Sequence, residues 1–285
     1  MEKKYLIINA DDFGVNEETN KAVKELFNDG KITSARLITT AALADEAMTI
    51  AKENNFSVGV HLTLNSDYTH TPWRPASDWE SVTSLVDEQG FLNPLPLIRK
   101  NALSEHVSLE CKAQYNMIRA GGVNVDHADS HSGTLYGING RLFFINAFKF
   151  CAEYNLPFRF PINNAFLDDY FNGKAPFYVK LAHKIVLTAA KRYKVKLIDD
   201  MITSPYKIDI IENYANLENY YLDKLRNIRA GVTELFLHPA YDAPVYNKDK
   251  EWLKRIFELE FLYSDKLTNL IKDEGIELIN YSFLK

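Results

Sequence analysis

Residues 7–14 read IINADDFG, an aliphatic run that stops at two adjacent carboxylates, Asp11 and Asp12, followed by a Phe-Gly turn. Neighbouring anions at the end of an apolar strand repel each other and resist burial, so a compensating cation is expected beside them. Further along, VDHADSH carries His127, Asp129 and His131 at alternate positions. Side chains two and four residues apart in a strand project to one face, so these three point the same way. Imidazole and carboxylate together suit a divalent ion such as zinc, manganese, iron, cobalt or nickel, with magnesium where oxygen ligands and water dominate. His61 in VGVHLTL, Arg159 in PFRFP and His238 in ELFLHPA complete the set of conspicuous polar residues. His61 and His131 read as ligands because they converge with the Asp pair. His127 is as readily a hydrogen-bonded core histidine, or a group standing behind the ligands with Asp129.

Positioning these side chains requires strands that all end at one mouth. Strand-like runs alternate with helix-like runs throughout: YLIINA, then the amphipathic NEETNKAVKELFNDG, then SARLITT, ADEAMTIAKEN and FSVGVHLTL, a βαβαβ pattern. The alternation continues through VNVDHADSH, LPFRFP, KLIDDMI, TELFLHPA and IELINYSFL, giving about eight strands. No composition shift divides the chain. The fold class expected is therefore α/β, a single distorted (β/α) TIM-like barrel over residues 1–285 with parallel strands and outer helices, and an open doubly wound sheet is the alternative. Residues 65–100, rich in proline and tryptophan, are too long for a passive connection and read as a functional loop over the active face.

With 46% hydrophobic and 25% charged residues the chain has material for a sizeable core, which excludes disorder. A net charge of −5 with scattered Lys and Arg lacks the footprint of a nucleic-acid binder. The apolar stretch before Asp11 is too short for a signal peptide or a membrane span, so no membrane partner and a cytoplasmic location are expected. Cys111 and Cys151 fall in helix-like segments without CxxC spacing and read as small buried hydrophobes. His70 falls in the long loop, within reach of a substrate; His106 and His183 fall in helices, as solvated or capping residues. The tyrosines of ENYANLENYY read as helix packing rather than a sugar platform.

NADDFG, GVHLTL, DSH and HPA, in this order along nearly the whole chain, resemble the YdjC-like (ChbG/HpnK) carbohydrate deacetylases, a family related to the NodB-type polysaccharide deacetylases. The resemblance implies a distorted barrel that hydrolyses N-acetyl groups from small acetylated amino-sugar oligosaccharides of the chitooligosaccharide type, using one divalent metal ion, Mg2+ or Zn2+. By position it implies Asp12, His61 and His131 as metal ligands, Asp11 as general base, His238 as general acid and Arg159 as the residue that orients Asp11. The chain departs from the family where DSH is followed by SGTLYG instead of further histidines, and in DYTHTPWRPASDW, so the outer cleft is expected to differ. Two other classes stand beside this reading. A metal-dependent phosphoesterase on a related barrel would need a second metal or a basic clamp, and only Arg159 is read near the mouth; a non-catalytic sugar-binding barrel would lack the base or the acid. The expected partner is a small acetylated saccharide, and a homodimer is compatible with the sequence.

Overall fold

β1 (Lys4–Phe13) is the strand on which the sheet is built, and eight of its ten residues, from Leu6 to Phe13, are buried. The computed structural model describes residues 3–66, 72–137, 140–171, 173–243 and 250–285. After β1 come β2 (Ser34–Leu37), β3 (Val58–Leu62), β4 (Val125–Ser130), β5 (Phe158–Pro161), β6 (Leu197–Ile198), β7 (Asp200–Ile202), β8 (Gly231–Leu237) and β9 (Glu277–Leu278). The pairings are parallel, in the order β6-β5-β4-β3-β2-β1-β8-β7.

The two ends of that order meet. β6 pairs with β5 and β7 with β8, and only Asp199 separates β6 from β7. The backbone N–H of Asp199 donates to the Val232 carbonyl at 2.9 Å, while its own carbonyl accepts from Asn163 at 2.9 Å. The kinked segment 197–202 is thus one stave that closes the sheet into a barrel, and the open doubly wound alternative is excluded. Where about eight strands were expected, β6 and β7 merge into one stave. The C-terminal run IELINYSFL contributes only the two residues of β9, which pair with Tyr5 and Leu6 of β1 below the point where β2 joins at Asn9.

Connections between successive staves carry α1 (Glu17–Asn28), α2 (Ala44–Asn54), α3 (Leu95–Asn101), α4 (Ser104–Ala120), α5 (Phe144–Tyr154), α6 (Ala165–Tyr170), α7 (Phe177–Tyr193), α8 (Ile208–Ile211) and α9 (Tyr214–Arg226); α10 (Trp252–Tyr263) and α11 (Asp265–Asp273) follow β8. α1 shows why such segments are helical. Asn16 caps it by accepting from the Thr19 N–H at 2.9 Å, Glu17 and Glu18 complement the dipole of the first turn, and Ala22, Val23 and Leu26 form its buried stripe. Cys111 on α4 and Cys151 on α5 are buried and unpaired with each other. His183 corrects the expectation of a solvated residue: it is buried on α7, donates from Nε2 to the Pro161 carbonyl at 2.8 Å and stacks on Phe160. His106 accepts from the backbone N–H of Ser84. His70 lies outside the described residues. Among the described residues no helix is long and apolar enough to cross a membrane.

The long connection after β3 is pinned where it leaves the mouth. Buried Glu110 of α4 accepts from the backbone N–H groups of Ala76 at 2.8 Å and Ser77 at 3.0 Å. Gln114, one turn on, brackets the backbone of Thr63 at the end of β3. This anchoring holds Trp73, itself buried, against His131 at 5.6 Å between ring centroids.

Candidate active site

Strict alternation along β1 would send Asp11 and Asp12 to opposite faces. The register with β2 shifts between Ala10 and Phe13, and Asp12 takes a left-handed conformation with φ of 67°. That bulge turns both carboxylates into the same cleft at the mouth of the barrel. A non-glycine residue pays about 1–2 kcal/mol for this conformation, least so for Asp and Asn, which is why a short acid can stand here.

Asp12 Oδ1 faces His61 Nε2 at 3.6 Å and His131 Nδ1 at 3.7 Å, and those two ring nitrogens are 3.3 Å apart. Oδ1 is buried and accepts no hydrogen bond. On its other side the His61 ring donates from Nδ1 to Asp129 Oδ1 at 2.6 Å, which orients the ring with Nε2 toward Asp12 as the nitrogen that an ion would take. An orphaned carboxylate oxygen and two imidazole nitrogens on one point are a donor set that fits a divalent cation. Charge agrees with geometry: the four carboxylates Asp11, Asp12, Asp129 and Glu234 meet three guanidinium groups, Arg36, Arg159 and Arg255, so the fourth positive charge falls to a proton on His61 or to an ion in its place. Burial works against the charged His61 ring, yet Asp129 and Asp11 outweigh it and push its pKa up to about 9. A second grouping, Asp11 with His61 and Asp129, is also close enough for an ion. Its carboxylates are already taken up by guanidinium groups, so it serves as the frame behind the first.

That frame holds more than the sequence suggested. Arg159 Nη1 and Nη2 both donate to Asp11 Oδ2 at 2.8 Å, and Nη2 also reaches Asp129. Asp11 Oδ1 accepts from Asn9 at 2.6 Å and from Arg36 Nη1 at 3.0 Å. Burial raises the Asp11 pKa, but Arg159 and Arg36 more than offset it and hold the carboxyl below its ordinary range. Arg36, wholly buried, pairs in turn with Glu234 at 2.5 Å and donates to the Tyr281 hydroxyl at 2.7 Å. Neither Arg36, Glu234 nor Tyr281 was singled out from the sequence. The available signal was a lone arginine inside SARL, a short strand buried at every position.

His127 stands apart from the ligands. Its Nδ1 is bonded to Asp126, its Nε2 lies 3.4 Å from Ser34 Oγ, and its ring stacks on Tyr281 with centroids 3.9 Å apart. His238 closes the cleft from β8, with Nε2 3.9 Å from Asp11 Oδ2 and Nδ1 3.8 Å from Glu258 on α10. The His238 backbone N–H also donates to Glu258, at 2.7 Å. The cleft, about 310 Å³, is walled by Trp73, Tyr136 and Phe236 around these polar groups. Arg255 of α10 lies in it as well, donating from Nη2 to Asp12 Oδ2 at 2.6 Å. The expectation of Arg159 as the sole mouth cation is therefore corrected: helix spacing in the WLKRIFELEFLY segment could not reveal that one of its residues folds over the β1 end.

Residues 5–273 match the family described as YdjC-like protein. A Thermoanaerobacter pseudethanolicus protein named carbohydrate deacetylase is 30% identical over 99% of this chain and 100% of its own length. An Enterococcus faecalis protein of the same name is 30% identical over 100% of this chain and 99% of its own. A crystal structure from Enterococcus faecalis, provisionally described as a cellobiose-phosphate cleavage protein, superposes with a TM-score of 0.79 at 28% identity, covering 99% of both chains.

Proposed function

Since the chain belongs to the YdjC-like family, we propose that it is a metal-dependent carbohydrate deacetylase, a hydrolase acting on the amide C–N bond of N-acetylated amino sugars. The observation that carries this reading is the unbonded Asp12 Oδ1 facing two imidazole nitrogens, beside an ionised carboxylate and across from His238 in one cleft. Asp12, His61 and His131 would hold the ion, Mg2+ or Zn2+, and it would supply Lewis-acid polarisation and a lowered water pKa there. Asp11 receives the proton of the attacking water. Arg159 and Arg36, which hold this carboxyl below its ordinary range, also fix its orientation toward the cleft, so it is placed to take that proton as the water oxygen bonds to the carbonyl carbon. The amine is a poor leaving group, and His238, with Glu258 behind its Nδ1, delivers a proton to the nitrogen as the C–N bond breaks. Atoms balance: water and amide give acetate and a free amino sugar.

Trp73, Tyr136 and Phe236 offer the apolar walls that sugar-ring carbons and an acetyl methyl require, in keeping with small chitooligosaccharide-type substrates. A phosphoesterase would need a basic clamp, whereas Arg159 and Arg255 are both engaged by carboxylates. The test is to assay acetate and phosphate release together from acetylated chito-oligosaccharides and a phosphomonoester. Acetate alone is expected, with Asp11→Asn retaining metal while losing roughly 10²–10⁴-fold in turnover. Phosphate release, or equal metal loss in Asp11→Asn and Asp12→Asn, would refute the assignment of roles.

A further inference from the structure

Arg255 lies four residues into α10, far in sequence from the strand ends that build the site, yet its guanidinium ends on Asp12. The two oxygens of Asp12 are divided between different partners. Oδ1 faces His61 and His131, and Oδ2 is held by Arg255 Nη2 at 2.6 Å. The arginine is itself steadied: its guanidinium lies 5.3 Å from the centre of the Trp252 ring one turn earlier, and its carbonyl accepts from Ala240 N–H at 3.4 Å. Its side chain is largely buried at the cleft wall.

We propose that Arg255 is a positioning residue that restricts Asp12 to a single ligating oxygen and thereby keeps the ion's remaining positions open for substrate and water. The inference rests on the metal reading given above. A carboxylate with both oxygens available can chelate a divalent ion through the two together, which tightens binding and uses up a position that a catalytic site must leave open. A charge-assisted bond to Oδ2 removes that option. The positive charge of Arg255 also stands close to where a second cation must sit, so it weakens the ion's binding by repulsion. Both effects run in the same direction: the arginine lowers metal affinity in return for an open site. An ordinary supporting residue would do the opposite, because its loss would loosen the ligands and weaken the ion.

The experiment compares wild type, Arg255→Met and Arg255→Lys. Each protein, stripped with chelator, is titrated calorimetrically with Zn2+ and, separately, followed by the visible absorption of Co2+, whose intensity reports coordination number. Arg255→Met is expected to bind Zn2+ about tenfold or more tightly than wild type, to change the Co2+ spectrum and to turn over more slowly. Arg255→Lys, which keeps the charge but not the fork, is expected to lie between the two. Should the methionine variant fail to fold, Arg255→Gln carries the same comparison. Equal or weaker Zn2+ binding in the neutral variant, or an unchanged Co2+ spectrum, would overturn this role while leaving the metal site standing. Failure of wild type itself to take up Zn2+ or Co2+ would overturn the metal reading, and this inference with it.

Discussion

His127 and His131 come from one strand end, four residues apart in DHADSH, and have opposite fates. His131 reaches the cleft, with Nδ1 3.3 Å from His61 Nε2 and an unbonded carboxylate oxygen beside it. His127 is sealed one layer down, its ring filling the space above Gly59, where even a Cβ would come within 2.4 Å of it. Burial, helped by Arg36, lowers the His127 pKa although Asp126 pulls the other way. Below this layer the barrel floor is apolar, formed by Ile7, Ile198, Met201 and Val232 around the Tyr281 ring. Depth in the barrel, more than residue type, separates a histidine that can hold an ion from one that only fills and bonds.

The contrast is broken most directly by truncating each ring. His131→Ala is expected to abolish stoichiometric metal and with it nearly all turnover, while the fold persists, because one mouth ligand is a small part of a large barrel's stability. His127→Phe is expected to keep the metal and to lose about 1–3 kcal/mol in denaturant unfolding, since Asp126 and Ser34 lose a partner inside the protein. Metal content by elemental analysis decides between them. Equal metal loss in both variants would show that the lower layer is part of the site.

A second test uses pH. Burial raises the Glu258 pKa, but the adjacent His238 ring and backbone N–H and the charge of Lys254 outweigh it and bring it down to about 2. A carboxyl depressed on folding contributes stability that is fully present above its unfolded value and is lost as pH falls through the folded one. Glu258 should thus contribute roughly 3 kcal/mol above pH ~4.5, fading toward pH ~2. Glu258→Gln should therefore lie below wild type in stability at pH 7 and converge with it only as pH falls to about 2. A constant gap across that range would mean that Glu258 holds His238 and Tyr221 by shape and hydrogen bonding alone.

The sequence made the alternation of strands and helices legible, because hydrophobic periods of two and near four are local. Asp11, Asp12, His61, His131, Arg159 and His238 were legible for the same reason: each lies in or just after a strand-like run, and parallel strands in a barrel bring their ends to one mouth. What stayed hidden needed closure of the chain on itself. Arg36 enters the barrel beside Asp11 from a strand 25 residues away, Tyr281 arrives from a two-residue strand and a tight turn, and Arg255 descends from a helix. The bulge at Asp12 was equally silent, since nothing in ADDF declares a left-handed residue.

The smallest effect expected belongs to Tyr281, and it tests how far the sealed layer reaches into the chemistry. Its hydroxyl donates to Glu234 and accepts from Arg36 Nη2 at 2.7 Å, while its ring stacks on His127. Tyr281→Phe keeps the stacking and removes only the oxygen, leaving one acceptor and one donor short of a partner in a dry layer. The cost should be about 1–3 kcal/mol of stability. Asp11 keeps both bonds from Arg159 and the separate Nη1 bond from Arg36, so its orientation does not depend on that hydroxyl. Turnover by Tyr281→Phe should accordingly stay within about threefold of wild type, less than 1 kcal/mol on the barrier, with metal stoichiometry unchanged. A loss in kcat approaching that of Asp11→Asn, with KM and stability little altered, would mean that the Arg36–Tyr281–Glu234 layer sets the position of the base and that the catalytic layer extends down to Tyr281.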